Sequence, residues 1–243
     1  MQVLERPTFD SRESKEIYQY VERHGTTDRD AVQNALGLAP ETFDASLEGL
    51  TSAGFIEERD GALSLVLDIG TAREYESDDL AYVVRPARDE DFEQLVDLIQ
   101  DVTAGRTYAV AEELVQELRY EDTVTRHNNV WSRVFFVATV DEFAVGWTHL
   151  DLPHVDTLRD TAELTVGVRE AYRGYGIGKR LLDRALAWAQ ANGYRKVYNS
   201  VAATNMNAVT FLEAQGWDRE AVREDHFTID DRLVDEVMMA YTF

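Results

Sequence analysis

Apolar positions recur at helical spacing in some stretches of the chain and crowd or alternate in others, and the switches between the two mark the elements. Residues 11–24 set Ile17, Tyr18 and Val21 on one helical face, with Gly25 as a stop. Asp28 or Asp30 can cap a second short helix that carries Ala31, Val32, Ala35 and Leu36 and ends at Gly37. A third starts near Pro40, a favoured first-turn residue, carries Phe43, Leu47 and Leu50, and stops at Gly54. Residues 55–65 then read as two short strands around the turn Asp60-Gly61.

Residues 82–85 read as a strand whose pairing Pro86 ends, and residues 89–100 as a helix with Phe92, Leu95, Val96 and Ile99 inward. Gly105 breaks the chain, a helix resumes over 110–119, and 120–129 is a polar loop carrying His127. Residues 133–139 and 143–150 form a strand pair around Asp141-Glu142, followed by a polar loop over 153–160. A strand over 163–168 leads through a glycine-rich loop into a helix that reaches Ala191 and ends at Gly193. A strand over 196–201, a helix over 207–215 and a strand pair about Asp230-Asp231 complete the chain. A mixed central sheet with helices on both faces is the natural way to bury these surfaces, which is an α+β arrangement.

The loop between the 163–168 strand and its helix is where chemistry is expected. It reads Arg173-Gly174-Tyr175-Gly176-Ile177-Gly178. The three glycines allow positive φ and close backbone approach to a ligand. Main-chain amides at the helix start lack partners and favour an anion, and Arg173 adds a fixed positive charge beside them. The spacing is not the Gly-x-Gly-x-x-Gly of dinucleotide binding, and Gly178-Lys179-Arg180 lacks the hydroxyl of a mononucleotide P-loop.

Arg173-Gly-x-Gly-x-Gly178 resembles the pyrophosphate-binding loop of the GCN5-related N-acetyltransferase superfamily. A second signature follows downstream: Asn205-Met206-Asn207-Ala208, then Phe211-Leu212-Glu213, then Gly216-Trp217. The resemblance covers roughly residues 82–243. It implies the acetyltransferase fold, acetyl-CoA as co-substrate with no metal, and an amine acceptor, either a protein amine or a small molecule. Implied cofactor contacts are the loop Arg173, Gly174, Tyr175, Gly176, Ile177 and Gly178, with Asn205 and the main chain of Val166, Gly167 and Val168 on a strand that splays from its neighbour. Glu163 stands where many members keep a general base, and His149 is the other candidate. The tyrosine that many members use to protonate the leaving thiolate is replaced by Leu212. Tyr241, Tyr172 and Tyr198 are possible substitutes, and Tyr175 reads as a packing or solvent residue rather than an acid.

Charge changes the picture for the first third of the chain. Three helices and a hairpin over residues 1–70 resemble a small winged helix-turn-helix domain, joined by an acidic linker over 71–81 to the acetyltransferase domain over 82–243. Residues 1–81 carry 7 basic and 18 acidic residues, and the helix over 41–50 that would enter a DNA groove has three acids and no base. Such a surface repels phosphates, which argues for docking within the protein or to a partner over DNA binding. The whole chain has a net charge of −22, with lysine only at positions 15, 179 and 196, a composition that resembles proteins of salt-loving archaea. The absence of cysteine excludes disulfides and thiolate chemistry. His149 and His154 have no evident third partner for a metal. No apolar run is long enough to span a membrane and no signal peptide is apparent, so a cytoplasmic protein is expected. Besides the enzyme, the sequence admits an acyl-CoA-sensing regulator whose N-terminal module contacts DNA or a protein, and a homodimer module with an empty glycine loop.

Overall fold

The computed structural model of the chain describes residues 7–67, 69–77, 80–104 and 109–243. The break expected at Gly105 lies outside the described residues. The chain runs α1 (Arg12–His24), β1 (Thr27–Asp28), α2 (Arg29–Leu36), α3 (Pro40–Ser52), β2 (Ile56–Arg59) and β3 (Ala62–Leu65). These first elements enclose a core of their own, in which Ile17, Val21, Val32, Phe43 and Leu63 are fully buried. The helix signals act as the sequence indicates: Ser11 and Asp28 cap α1 and α2 through their side chains, and Pro40 opens α3. The two-residue strand β1 pairs with β3, giving the order β1-β3-β2; it is too short to leave a periodicity.

The rest is β4 (Arg73–Ser77), β5 (Leu80–Pro86), α4 (Phe92–Thr103), α5 (Ala109–Glu121), β6 (Arg126–His127), β7 (Trp131–Val140), β8 (Phe143–Pro153), β9 (Thr161–Val168), α6 (Ile177–Ala191), β10 (Lys196–Ala202), α7 (Met206–Ala214), β11 (Asp218–Ile229) and β12 (Arg232–Thr242). Among the described residues they build a mixed sheet in the order β11-β12-β10-β9-β8-β7-β5-β4, with β6 beside β7. Among the described strands only β9 and β10 run parallel. Alternation on β7 shows how the sheet divides two cores. Val134, Phe136 and Ala138 face α6, while Phe135 and Val137 face α4 and α5.

Three expectations need correction. Within the segment read as an acidic linker, Arg73–Ser77 is an edge strand, paired Tyr75 to Tyr82 with the two rings stacked at 5.5 Å; its alternating side chains supply a strand face despite the charge. Pro86 does not break its pairing: as the last residue of β5 it still stands opposite Phe136, and Ala87 N donates to Phe135 O at 3.0 Å. The polar loop around His127 is in part a buried strand, because Arg126 and His127 lie under α1 and find polar partners there. The turns Asp141-Glu142 and Asp230-Asp231 have positive φ at both residues, the twist that joins neighbouring antiparallel strands.

Candidate active site

The site begins where the sheet splits. β9 and β10 are paired at only three positions, Thr161, Ala162 and Glu163 with Lys196, Val197 and Tyr198. Beyond these, β9 stays with β8 as far as Val168 opposite Gly146, and β10 stays with β12 as far as Ala202 opposite Glu236. Each strand follows its outer neighbour, so the two diverge. Asn199 marks the fork, its Nδ2 donating to Leu164 O at 2.8 Å.

The alternation of β9 decides which amides the fork exposes. Leu164 O points to Asn199 and Val168 O accepts from Arg173, whereas Arg169 N donates to Val145 O on the β8 side. Val166 and Val168 therefore present their main chain to the open edge, and Gly167 turns its own toward β8. Gly167 has another reason to be glycine. A Cβ there would stand 2.1 Å from Cη2 of the fully buried Trp147.

At the mouth of the fork lies the glycine loop. Gly174 and Gly176 have φ of 91° and 79°, but Gly178 does not have positive φ, correcting the expectation for all three. A Cβ on Gly174 would meet nothing within 4 Å, so the loop surface there is open. Gly176 caps α6 without a side-chain hydrogen bond, which leaves the amides of the first turn unpaired. Arg173 Nε donates to Val168 O at 2.9 Å and holds its guanidinium beside them. Tyr175 is half-buried against the main core and Ile177 is buried at the base of α6. Asn205 caps α7, its Oδ1 accepting from Ala208 N at 3.2 Å. These walls enclose a cavity of about 730 Å³ that Val166, Val168, Arg173, Asn205 and Phe211 line. Leu212, the position for which the motif resemblance implies a tyrosine, is buried.

A second cleft, of about 760 Å³, opens on the other side of the fork, and the two share Asn199 and Ser200. Its walls are acidic: Glu117, Asp151, Glu163, Glu220 and Glu236, against Arg223. Glu236 is buried and held by Ser200 Oγ and Arg223, and Glu220 is paired with Lys196. Glu163 stands opposite Asp151 across β8 and β9, open to the cleft, with no hydrogen bond or salt bridge among the described residues. Enough protein surrounds it that burial raises its pKa, Asp151 adding to the rise, His149 opposing, and Glu236 and Glu113 adding further. Burial would also raise Asp151, but the nearby His149 and Arg133 outweigh it and hold that carboxyl below its ordinary value.

His149 is buried and lines neither cleft. Its Nε2 is 3.3 Å from Asp151 Oδ1, out of line for a hydrogen bond, and its ring lies 4.8 Å from Phe135. His154 hydrogen-bonds Ser132 at 2.7 Å, and no cluster of metal-binding side chains occurs among the described residues. Tyr241 packs on Trp217, Tyr172 borders the first cavity and Tyr198 the acidic cleft. Sequence reasoning missed Asp151, Glu117 and Ser200, which only the strand register and the packing of α5 bring to the site. No helix among the described residues is long and apolar enough to cross a membrane.

Comparison with known proteins agrees with this geometry. An uncharacterized N-acetyltransferase of Methanocaldococcus jannaschii is 31% identical over 91 residues, 36% of this chain and 40% of that one. The match thus spans less than half of that relative's length. Solved structures with the same fold include a GCN5-related N-acetyltransferase from Kribbella flavida (23% identity, TM-score 0.55, covering 67% of this chain and 98% of that one). A GNAT acetyltransferase from Streptococcus pneumoniae matches with 20% identity and a TM-score of 0.54 over 67% of this chain and 99% of that one. A putative acetyltransferase from Salmonella typhimurium, solved with acetyl-CoA, matches with 16% identity and a TM-score of 0.53 over 66% and 93%. Residues 95–217 match the model of the acetyltransferase (GNAT) family, just over half of the chain, and the protein belongs to that family.

Proposed function

We propose that the protein transfers the acetyl group of acetyl-CoA to a primary amine, with the cofactor in the cavity at the fork and the amine entering from the acidic cleft. The observation that carries this is the meeting of the two clefts at Asn199 and Ser200, where a thioester from one side and an amine from the other come within reach. The cavity suits its ligand: unpaired amides at the start of α6 and Arg173 face a diphosphate, and the free edge of Val166 and Val168 accepts an extended amide arm as an added strand would. A main-chain amide of that edge also serves as donor to the thioester oxygen as charge builds on it.

An amine of lysine type is protonated near neutrality, since its pKa is about 10.4. The acidic walls attract the ammonium, and Glu163, unpaired and raised by burial, takes its proton directly or through water. The free amine then attacks the carbonyl carbon and a C–N bond forms; the C–S bond breaks to release CoA as the thiolate, and the second proton shed by the acetylated nitrogen passes to that thiolate, directly or through water. Tyr172, beside the cofactor cavity, is the tyrosine closest in role to a proton donor for that thiolate.

The first three helices and their small sheet fit a winged-helix module that docks on the catalytic part. Buried bonds such as Tyr18 Oη to His127 O at 2.8 Å support docking over DNA binding. A second reading, an acyl-CoA sensor without turnover, is favoured by the burial of Leu212 in place of a catalytic acid. Release of CoA against a panel of amines, at the ionic strength that keeps the chain folded, separates the two. Turnover is expected with cationic amines, and tight acetyl-CoA binding with no turnover on any amine or peptide would leave the sensor standing. Gly176→Val tests the cavity itself. Valine at a φ of 79° is strained and its branches crowd the loop, so calorimetry is expected to show acetyl-CoA affinity falling at least about tenfold. Unchanged binding would overturn the assignment of the loop.

A further inference from the structure

The contact between α1 and the catalytic part is built from buried charges in a row. Arg126 Nη1 donates to Glu22 O at 2.7 Å and lies 3.5 Å from Glu22 Oε1. Arg126 Nε is 3.1 Å from Glu121 Oε2 on α5. That same oxygen accepts from Arg133 Nη2 at 2.6 Å. The Arg133 side chain is 0% exposed, sandwiched near Trp131 and Phe135, and its Nη1 has no hydrogen-bond partner. What that nitrogen faces is Glu117 Oε2, 3.9 Å away, on the wall of the acidic cleft. Acid and base alternate from Glu22 through Arg126, Glu121 and Arg133 to Glu117.

We infer that Glu22, on the N-terminal three-helix unit, is a positioning residue for the acceptor cleft: through Arg126 and Glu121 it sets how much of the Arg133 charge is left to compensate Glu117 and Asp151. The inference rests on the reading of that cleft as the entry for a cationic amine. With Glu22 ionised, Arg126 is shared between two acids, and Glu121 is largely left to Arg133. Without the Glu22 charge, Arg126 keeps its bond to Glu22 O but has Glu121 as the carboxylate left to it among the described residues, and the shared Glu121 oxygen then neutralises Arg133 less. A buried cation short of partners recruits the nearest carboxylate. Glu117 is drawn across the 3.9 Å gap, and the cleft loses a free negative charge. The charge state of Glu117 agrees with such a balance. Burial and then Asp151 raise its pKa, Arg133 and His149 oppose the rise, and Glu113 adds to it. Glu22, Arg126, Glu121 and Arg133 are largely covered, so salt screens this row mainly at its exposed Glu117 end.

Glu22→Gln in the full chain is the test, with Tyr18→Phe as its control. Glutamine keeps an oxygen for Asn128 Nδ2, now 3.0 Å from Glu22 Oε1, and removes only the charge. Tyr18→Phe removes the bond to His127 O across the same contact but lies off the charge row. Expected for Glu22→Gln is an acceptor KM raised roughly three- to tenfold with the acetyl-CoA KM unchanged, the size typical of coupled neighbours. Tyr18→Phe is expected to leave both constants as they are. Equal effects from the two variants, or a loss on both substrates, would reduce Glu22 to a docking residue and overturn the inference. Glu22→Asp keeps the charge at shorter reach and gives the same split at smaller size, should Glu22→Gln fail to fold. A carbon-13 NMR titration of the Glu117 carboxyl reads the coupling without turnover: its pKa is expected to fall in Glu22→Gln and stay in Tyr18→Phe. An unmoved Glu117 overturns the coupling, whereas a wild type inactive on every amine overturns the reaction and leaves this titration to judge the coupling.

Discussion

Glu163→Gln is expected to lower kcat/KM for the amine by about 10²–10³-fold, the range found when a positioned base is removed. The substitution is nearly isosteric and Glu163 has no hydrogen bond or salt bridge among the described residues to lose, so folding and acetyl-CoA binding should stay as they are. The pH profile gives the sign. A base works only when deprotonated, so activity is present above the Glu163 pKa and is lost as pH falls through it. Burial, with Asp151 next, raises that pKa above the ordinary carboxylate value of about 4.3, so the acid limb of kcat/KM lies higher than a solvated glutamate would place it. In Glu163→Gln that limb should vanish. A variant that keeps both its rate and its acid limb would move the base elsewhere, with Asp151 next in line across the two strands.

The largest structural effect is expected from Gly167→Ala. A glycine in an extended strand ordinarily gains a little stability on becoming alanine, by less than about 1 kcal/mol, because the unfolded chain has less freedom. Here the new Cβ falls 2.1 Å from Trp147 Cη2 and 2.2 Å from Cζ3, and the indole is fully buried with nowhere to retreat. Overpacking wins, at a cost of about 3 kcal/mol. Scanning calorimetry should show an unfolding midpoint lower by roughly 6–12 °C. The same substitution in a Trp147→Phe background should cost much less, since the smaller ring makes room. Equal losses in both backgrounds would mean that the clash is not with the indole.

Local signals carried most of the fold. Helix caps, paired acidic turn residues and the glycine loop are written in neighbouring residues, and α1 to α3, the β7–β8 and β11–β12 pairs and the β9–α6 turn sit where they were expected. What failed depended on partners far along the chain. Arg73–Ser77 looks like a polar tether until β5 is beside it, and Arg126–His127 looks like surface until α1 covers it. The site divides the same way. Arg173, Gly174, Gly176 and Asn205 are legible as a motif and line one cavity. Glu163 is legible only through family resemblance, and its neighbours Asp151 and Glu117 arrive from another strand and a helix. The pattern ends the His149 strand at 150, whereas the strand runs on to Pro153 and the imidazole is covered.

The Asn199 amide decides how the gap between β9 and β10 can move. It satisfies the Leu164 oxygen as an adjoining backbone would, so that oxygen exerts no pull to zip the strands further. Because the last link before the opening is a side chain, it can let go by rotation alone, while β9 stays laced to β8 and β10 to β12. Rotation of one side chain is thus enough to loosen the gap, without sliding any part of the sheet.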